Sequence, residues 1–179
     1  MRIRLKLYGA LGALLAGSAA AADLNVGVEV PNLNVAEYHR PYIAVWVAHE
    51  DNSVATNLAV WYQQKTGKDA GSGKQEQGSK WLADLRQWWR RSGRSSTLPI
   101  DGVSGATRPA GVHRLSFNDK QPQLAGLKPG KYELVVEAAR EVGGHELVRI
   151  PFQWPPAAAS HADAKGEVEL GSVSLDLAP

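Results

Sequence analysis

The sequence predicts an all-β fold, a β-sandwich of about seven strands with one amphipathic, Trp-rich helix inserted. Apolar runs of strand length recur along the chain, and turns rich in Gly, Pro and Asn separate them. Most of these runs are rich in Val, Tyr, Trp and Phe, which favour strands, and several alternate between apolar and polar residues. The predicted strands cover residues 24–30, 42–49, 55–62, 112–117, 132–139, 147–154 and 168–177.

The segment before the fifth predicted strand indicates which type of sandwich the chain forms. Pro129 and Gly130 set a turn, and Tyr132 then opens the strand. This arrangement resembles the tyrosine corner of immunoglobulin-like sandwiches, in which the tyrosine hydroxyl bonds back to nearby backbone. We therefore expect an immunoglobulin-like sandwich.

The inserted helix is predicted from Ser79, a candidate N-cap, to Gly93. Its apolar residues recur at helical spacing and predict one buried face, whereas arginines occupy the other face. The apolar residues are Trp81, Leu82, Leu85, Trp88 and Trp89. We expect the tryptophans to pack the helix onto the sandwich, and stacking on a ligand or partner is the alternative role.

The N-terminus is typical of a cleaved signal peptide over residues 1–22. Three basic residues precede an apolar stretch that is too short to span a bilayer, and small residues then lead to Ala22. No Cys follows, which excludes a lipoprotein anchor. The rest, residues 23–179, is predicted to be one periplasmic domain that is not embedded in the membrane. It contains a mobile loop at 66–78 and an Ala-rich linker at 155–166.

Composition excludes several classes of function. The chain of 179 residues has no Cys, which rules out disulfides, thiolate metal sites and Cys nucleophiles. The formal charge of +2 depends on the signal peptide, because 17 basic and 18 acidic side chains remain without its three basic residues. A net charge of −1 argues against nucleic-acid binding that relies on bulk charge.

No motif of an intrinsic catalyst is present. The five His residues lack HExxH spacing, and there is no Gly-x-Ser-x-Gly elbow, Walker loop or GxGxxG fingerprint. We therefore expect neither catalytic residues nor a metal site on this chain.

The segment between the helix and the next strand carries the candidate chemistry. It reads Asp-Gly-Val-Ser-Gly-Ala-Thr from Asp101 to Thr107. Thr107 supplies a hydroxyl, and the small residues Ser104, Gly105 and Ala106 let a bulky substrate approach the backbone. We expect a loop here, because a hydroxyl in a central strand would be unable to enter the active site of another enzyme.

This segment resembles the flavinylation motif Asp-x-x-(Ser/Thr)-Gly-Ala-(Thr/Ser). That motif is known from FMN-binding subunits of sodium-pumping NADH:quinone oxidoreductase and related extracytosolic flavoproteins. There an exported FAD:protein FMN transferase uses Mg²⁺ and FAD, joins the FMN phosphate to the last hydroxyl and releases AMP. The resemblance implies that Thr107 carries covalent FMN through a phosphoester. It also implies that the transferase recognises Asp101, Ser104, Gly105 and Ala106.

Four separated blocks, in order, resemble the predicted periplasmic proteins of domain-of-unknown-function family 2271. The blocks lie at residues 42–47, 80–90, 101–111 and 129–154. The resemblance implies a compact extracytosolic domain that carries FMN and works near membrane redox partners of the PepSY type. Arg108, directly after the motif, is expected to neutralise part of the phosphodiester charge.

The sequence therefore predicts an exported flavoprotein that acts as an electron carrier rather than a stand-alone enzyme. The alternative is a non-redox periplasmic binding or assembly module in which residues 101–107 form a plain turn. A carbohydrate-binding sandwich is a third, weaker reading that depends only on exposed aromatic residues. Colour separates the first two, because covalently bound flavin stays yellow through denaturation.

Overall fold

The computed structural model describes residues 21–64 and 77–179 of the chain. Residues 1–20 of the predicted signal peptide, and the predicted loop 66–78 up to residue 76, lie outside the described residues. Within the described ranges the chain forms nine strands in two sheets. The strands are β1 Asp23–Val30, β2 Tyr42–Ala48, β3 Val54–Tyr62, β4 Ser104–Ala106, β5 Gly111–Asn118, β6 Gly130–Ala139, β7 His145–Trp154, β8 Ser160–Lys165 and β9 Ser172–Ala178.

The strand order confirms the predicted sandwich. One sheet has the order β5-β1-β9-β8 and the other β4-β3-β2-β6-β7. The order β3-β2-β6-β7 matches strands C′-C-F-G of a variable-type immunoglobulin domain, and the β1–β5 pair matches strands B and E. Strand β4 differs from strand C″ because it pairs in parallel with β3. A C-terminal hairpin, β8–β9, occupies the place beside β1 where strand A lies in immunoglobulin domains.

The main core lies between the two sheets and follows from period-two alternation. In β1, Leu24, Val26 and Val28 point inward and are at most 1% exposed. Val148 and Ile150 of β7 are buried in the same core, as the alternation of that run predicted. Burial of such apolar side chains is the main source of free energy for folding.

A second core covers the outer face of the five-stranded sheet. Trp46, Val60 and Val135 face away from the first core and pack against Leu82 and Trp88 of the helical segment. The five-stranded sheet is therefore buried on both faces. This explains why β2, with the sequence YIAVWVA, is apolar at nearly every position instead of alternating.

The predicted helical insertion is confirmed, but it is a broken helical segment rather than one continuous helix. It contains α1 Gln77–Lys80, a 3₁₀ turn Trp81–Asp84, α2 Arg86–Arg91 and a second 3₁₀ turn Gly93–Ser95. Leu85 breaks the helix with a ψ of 71°. Leu82, Leu85 and Trp88 are buried as predicted, whereas Trp81 is 46% exposed because the break rotates the preceding turn out of the helical period.

Three further predictions need correction: a linker, the start of a strand and a loop. Strand β8 lies inside the segment 155–166, which was predicted as a linker. The sequence shows little sign of this strand because its inward residues are the small Ala162 and Ala164. Strand β9 begins at Ser172 rather than at residue 168. Strand β4 lies inside the segment predicted as a loop.

The predicted tyrosine corner is confirmed. The Tyr132 hydroxyl donates a hydrogen bond of 2.8 Å to the Lys128 carbonyl oxygen. None of the helices in the described part of the chain is long and apolar enough to cross a membrane.

The buried carboxylate of Glu137 attaches the helical segment to the sheet. Glu137 lies on β6 with 0% exposure and accepts hydrogen bonds from the backbone N–H groups of Gln87 and Trp88, each 2.8 Å long. These donors belong to the first turn of α2, where helical N–H groups lack partners within the helix. His145 of β7 provides a third contact through its Nε2. A buried carboxylate thus caps a helix from a neighbouring strand.

Replacing Glu137 with Gln tests the importance of this cap. The substitution keeps the shape but removes the charge and offers a single acceptor, so we expect unfolding to become easier by about 2 kcal/mol. Urea unfolding followed by tryptophan fluorescence measures the change. Glu133→Gln is the matched control, because Glu133 lies on the same strand in a half-exposed pair with Arg149 and should cost less than about 1 kcal/mol. Equal losses for the two variants would contradict the capping role.

Glu146 organises the loop before β9 in a similar way. Its carboxylate accepts hydrogen bonds from the backbone N–H groups of four successive residues, 167 to 170. Partial burial raises the pKa of Glu146, but these four donors outweigh it and hold the pKa below its ordinary value of 4.5. The ionised form is therefore favoured in the folded state.

The pH dependence of stability follows from that shift. The stabilisation by Glu146 is complete above the unfolded-state pKa and is lost as pH falls through the lower folded-state pKa. Glu146→Gln should therefore be less stable than wild type at about pH 7, and the difference should shrink as pH falls below the ordinary carboxyl value of 4.5. Urea unfolding across this range measures it, with Glu167→Gln as the control on the same loop. A difference that does not change with pH would contradict this account.

Candidate functional site

The predicted motif begins with a tight turn at the end of the helical segment. The backbone N–H of Ser104 donates to the Ile100 carbonyl oxygen over 2.9 Å. In return, the Ser104 hydroxyl accepts a hydrogen bond of 2.9 Å from the Ile100 N–H. Gly102 within the turn has a φ of +66°, which favours glycine, and its carbonyl accepts a hydrogen bond from the side chain of Gln123. The turn therefore has a fixed shape.

The next three residues form the edge strand β4, so the prediction of a loop is only partly right. Ser104, Gly105 and Ala106 pair in parallel with Val60, Trp61 and Tyr62 of β3. In the described chain β4 has no second neighbour, so one of its sides carries no strand.

Thr107 follows directly after the edge strand. Its N–H donates a hydrogen bond of 3.2 Å to the Tyr62 carbonyl oxygen, which fixes the backbone at this position. Thr107 is half-buried, and it lines a cavity of about 420 Å³. The candidate acceptor hydroxyl therefore lies on a fixed backbone beside a concave surface.

The indole of Trp61 lies against Gly105 of the motif. A Cβ on Gly105 would lie 3.2 Å from Trp61 Cδ1, so the strand approaches the ring as closely as it does because residue 105 is glycine. The guanidinium of Arg108 lies 5.3 Å from the Trp61 ring centroid, in a cation–π contact. His113 of β5 contacts the same ring edge-to-face and bonds to the Pro109 carbonyl oxygen.

The structure brings together some of the predicted site residues and separates others. Ser104, Gly105 and Thr107 are half-buried at the sheet edge, whereas Asp101, Ala106 and Arg108 are exposed. Asp101 lies in the turn before the strand, and Thr107 at the cavity beyond it.

The cavity beside Thr107 is lined by Trp81, for which ligand stacking was the alternative role, and by residues that the sequence analysis did not select as site residues. They come from the segment that ends with the first residue of β2, from the 3₁₀ turn and from the turn between β6 and β7. These residues include Tyr38, Tyr42, Trp81, Arg140, Glu141 and Val142. We expected Trp81 to pack onto the sandwich because we assumed one continuous helix, whereas it is exposed, and no local pattern marks the other residues.

Arg140, which lines this cavity, forms a buried ion pair with Glu169. Its Nε and Nη2 bond to the fully buried carboxylate of Glu169, at 2.8 and 3.1 Å. Glu169 also accepts a hydrogen bond of 2.6 Å from the Gly144 N–H. The pair is buried and well bonded, which compensates the cost of removing both charges from water.

The fold and the site together define a β-sandwich domain with a hydroxyl-bearing segment at the edge of one sheet. A family model described as "Predicted periplasmic protein (DUF2271)" matches residues 23–172, and the chain belongs to this family. That description confirms the family resemblance and the predicted periplasmic location. No curated protein and no solved structure matches the chain.

The hydroxyl of Ser104 is expected to stabilise the motif turn. Ser104→Ala leaves the Ile100 N–H without its acceptor, which should cost about 1 kcal/mol locally and speed amide exchange at Ile100 about fivefold. Hydrogen exchange followed by NMR measures this rate. Ser116→Ala on the exposed face of β5 is the control and should leave Ile100 unchanged. An unchanged rate at Ile100 in Ser104→Ala would show that the turn holds without the hydroxyl.

Proposed function

We propose that this protein is an exported carrier of covalent FMN, attached through a phosphoester to Thr107, which transfers electrons outside the cytoplasm. The observation that supports this proposal is the position of Thr107. It ends a motif of small residues at a sheet edge and lines a cavity. A rigid scaffold that presents an accessible hydroxyl is what a modifying enzyme requires of its substrate.

The residues at the site fit the proposed group. Ser104, Gly105 and Ala106 leave the approach to Thr107 free of bulky side chains, and the exposed Arg108 offers a cation for a phosphodiester. The cavity of about 420 Å³ offers concave space next to the hydroxyl. Its size is within the range of about 300–1,000 Å³ that small-molecule sites usually have.

The attachment step transfers one group. The Thr107 oxygen attacks the FMN phosphorus of FAD, the pyrophosphate P–O bond breaks, and AMP leaves. The hydroxyl proton passes to a base on FAD:protein FMN transferase, which also supplies Mg²⁺. The chain itself contributes the hydroxyl and a backbone that the Tyr62 carbonyl holds in place. No acid or base of this protein takes part.

Once bound, FMN supplies reversible two-electron chemistry. The protein supplies the position of the group, its surroundings and a partner surface. The proposed electron donor is a membrane redox protein of the PepSY type, and the acceptor is another extracytosolic redox protein. The periplasmic family assignment supports this arrangement, because FMN transferases of this kind act outside the cytoplasm.

Intact mass spectrometry tests the attachment. Wild-type protein, exported together with a flavin transferase, should gain the mass of one FMN less one water. Thr107→Ser should be modified as well, since it keeps a hydroxyl, and Thr107→Ala should not. An unmodified wild type beside a modified control substrate would reject the flavoprotein and favour the binding or assembly module.

A further inference from the structure

The cavity beside Thr107 is more than a surface depression, because several separate segments build it. Tyr42 opens β2, Trp81 belongs to the 3₁₀ turn, and Arg140 and Val142 follow the end of β6. Thr107 contributes from the end of β4. A group attached to Thr107 therefore begins at the wall of this cavity.

Exposed apolar side chains are concentrated around this cavity. Six large apolar residues are exposed in the described ranges, and three of them line the cavity, namely Tyr38, Trp81 and Val142. Val142 is 79% exposed and has a φ of +53°, a strained conformation for a β-branched residue. Exposed apolar surface and local backbone strain both concentrate at binding sites.

Arg140 provides an unused hydrogen-bond donor at the same cavity. Its side chain is only 6% exposed, and Glu169 binds its Nε and Nη2. The remaining Nη1 is buried and has no hydrogen-bond partner among the described residues. Buried donors in proteins are almost always paired, so this Nη1 needs an acceptor that the described residues do not supply.

The opposite wall contains a neutral phenol. Burial raises the pKa of Tyr42, and the carboxylates of Glu141 and Asp84 raise it further. Tyr42 is therefore protonated at neutral pH, and its ring packs edge-to-face against Tyr62. The cavity combines aromatic surface with a neutral phenol, an arginine guanidinium and the carboxylates of Asp84 and Glu141.

We propose that this cavity binds the isoalloxazine ring of the FMN carried by Thr107, an inference that rests on the proposed function. Trp81 and Tyr38 offer aromatic surface to a flat heteroaromatic ring. Arg140 offers the unpaired Nη1 donor to the carbonyl oxygens of the ring. The ring is thus held against the protein instead of extending into solvent from a tether.

Quenching of flavin fluorescence by iodide tests this inference on the loaded full-length protein. Pockets of this kind bury most of the surface of a ligand, so the quenching constant should be about fivefold smaller than for the same protein unfolded in urea. Trp81→Ala should raise the constant towards the unfolded value. Trp89→Ala is the matched control, because Trp89 lies on α2 and does not line the cavity. Thermal unfolding verifies that both variants fold.

The outcomes separate the inference from the proposed function. A protein that gains the mass of FMN but is quenched as strongly as the unfolded chain overturns the cavity site and leaves the attachment standing. Equal effects of Trp81→Ala and Trp89→Ala also overturn it. A wild type that gains no FMN overturns the proposed function, and the inference falls with it.

Discussion

The structure depends on one buried carboxylate, that of Glu137. It lies on β6 and caps α2 through the N–H groups of Gln87 and Trp88, which lie 50 and 49 residues earlier in the chain. Burying this charge is costly, and the three hydrogen bonds that it accepts offset that cost. The helical segment is thereby fixed on the outer face of the five-stranded sheet. The helical segment forms the second core with this sheet, and its 3₁₀ turn forms part of the cavity wall.

The motif combines a fixed backbone with a half-buried threonine that lines a cavity. Parallel pairing with β3 fixes Ser104 to Ala106, and the hydrogen bond to Tyr62 fixes Thr107. A central strand would give the same rigidity, but neighbours on both sides would close off the hydroxyl. A free loop would leave it accessible but without a defined position. An edge strand followed by a half-buried threonine meets both requirements.

In our proposal, the cavity next to the motif gives the covalent flavin a second anchor. Covalent attachment alone fixes only the phosphate, while electron transfer depends on where the redox-active ring lies. Aromatic side chains, a neutral phenol and an arginine from distant segments meet at this place. The buried Arg140–Glu169 pair holds the guanidinium in position, since Glu169 is itself fixed by the Gly144 N–H. In our proposal, the attachment point and the ring site are parts of one surface.

The sequence by itself determined the sandwich, the tyrosine corner and the motif, because period-two alternation and a Pro-Gly turn reflect local backbone geometry. Strand β8 escaped notice since alanines mark its inward face weakly. The break at Leu85, the exposure of Trp81 and the cavity were decided only by the tertiary structure. Their physical cause is long-range packing: a carboxylate on β6 determines where α2 begins, and segments far apart in the chain meet beside Thr107.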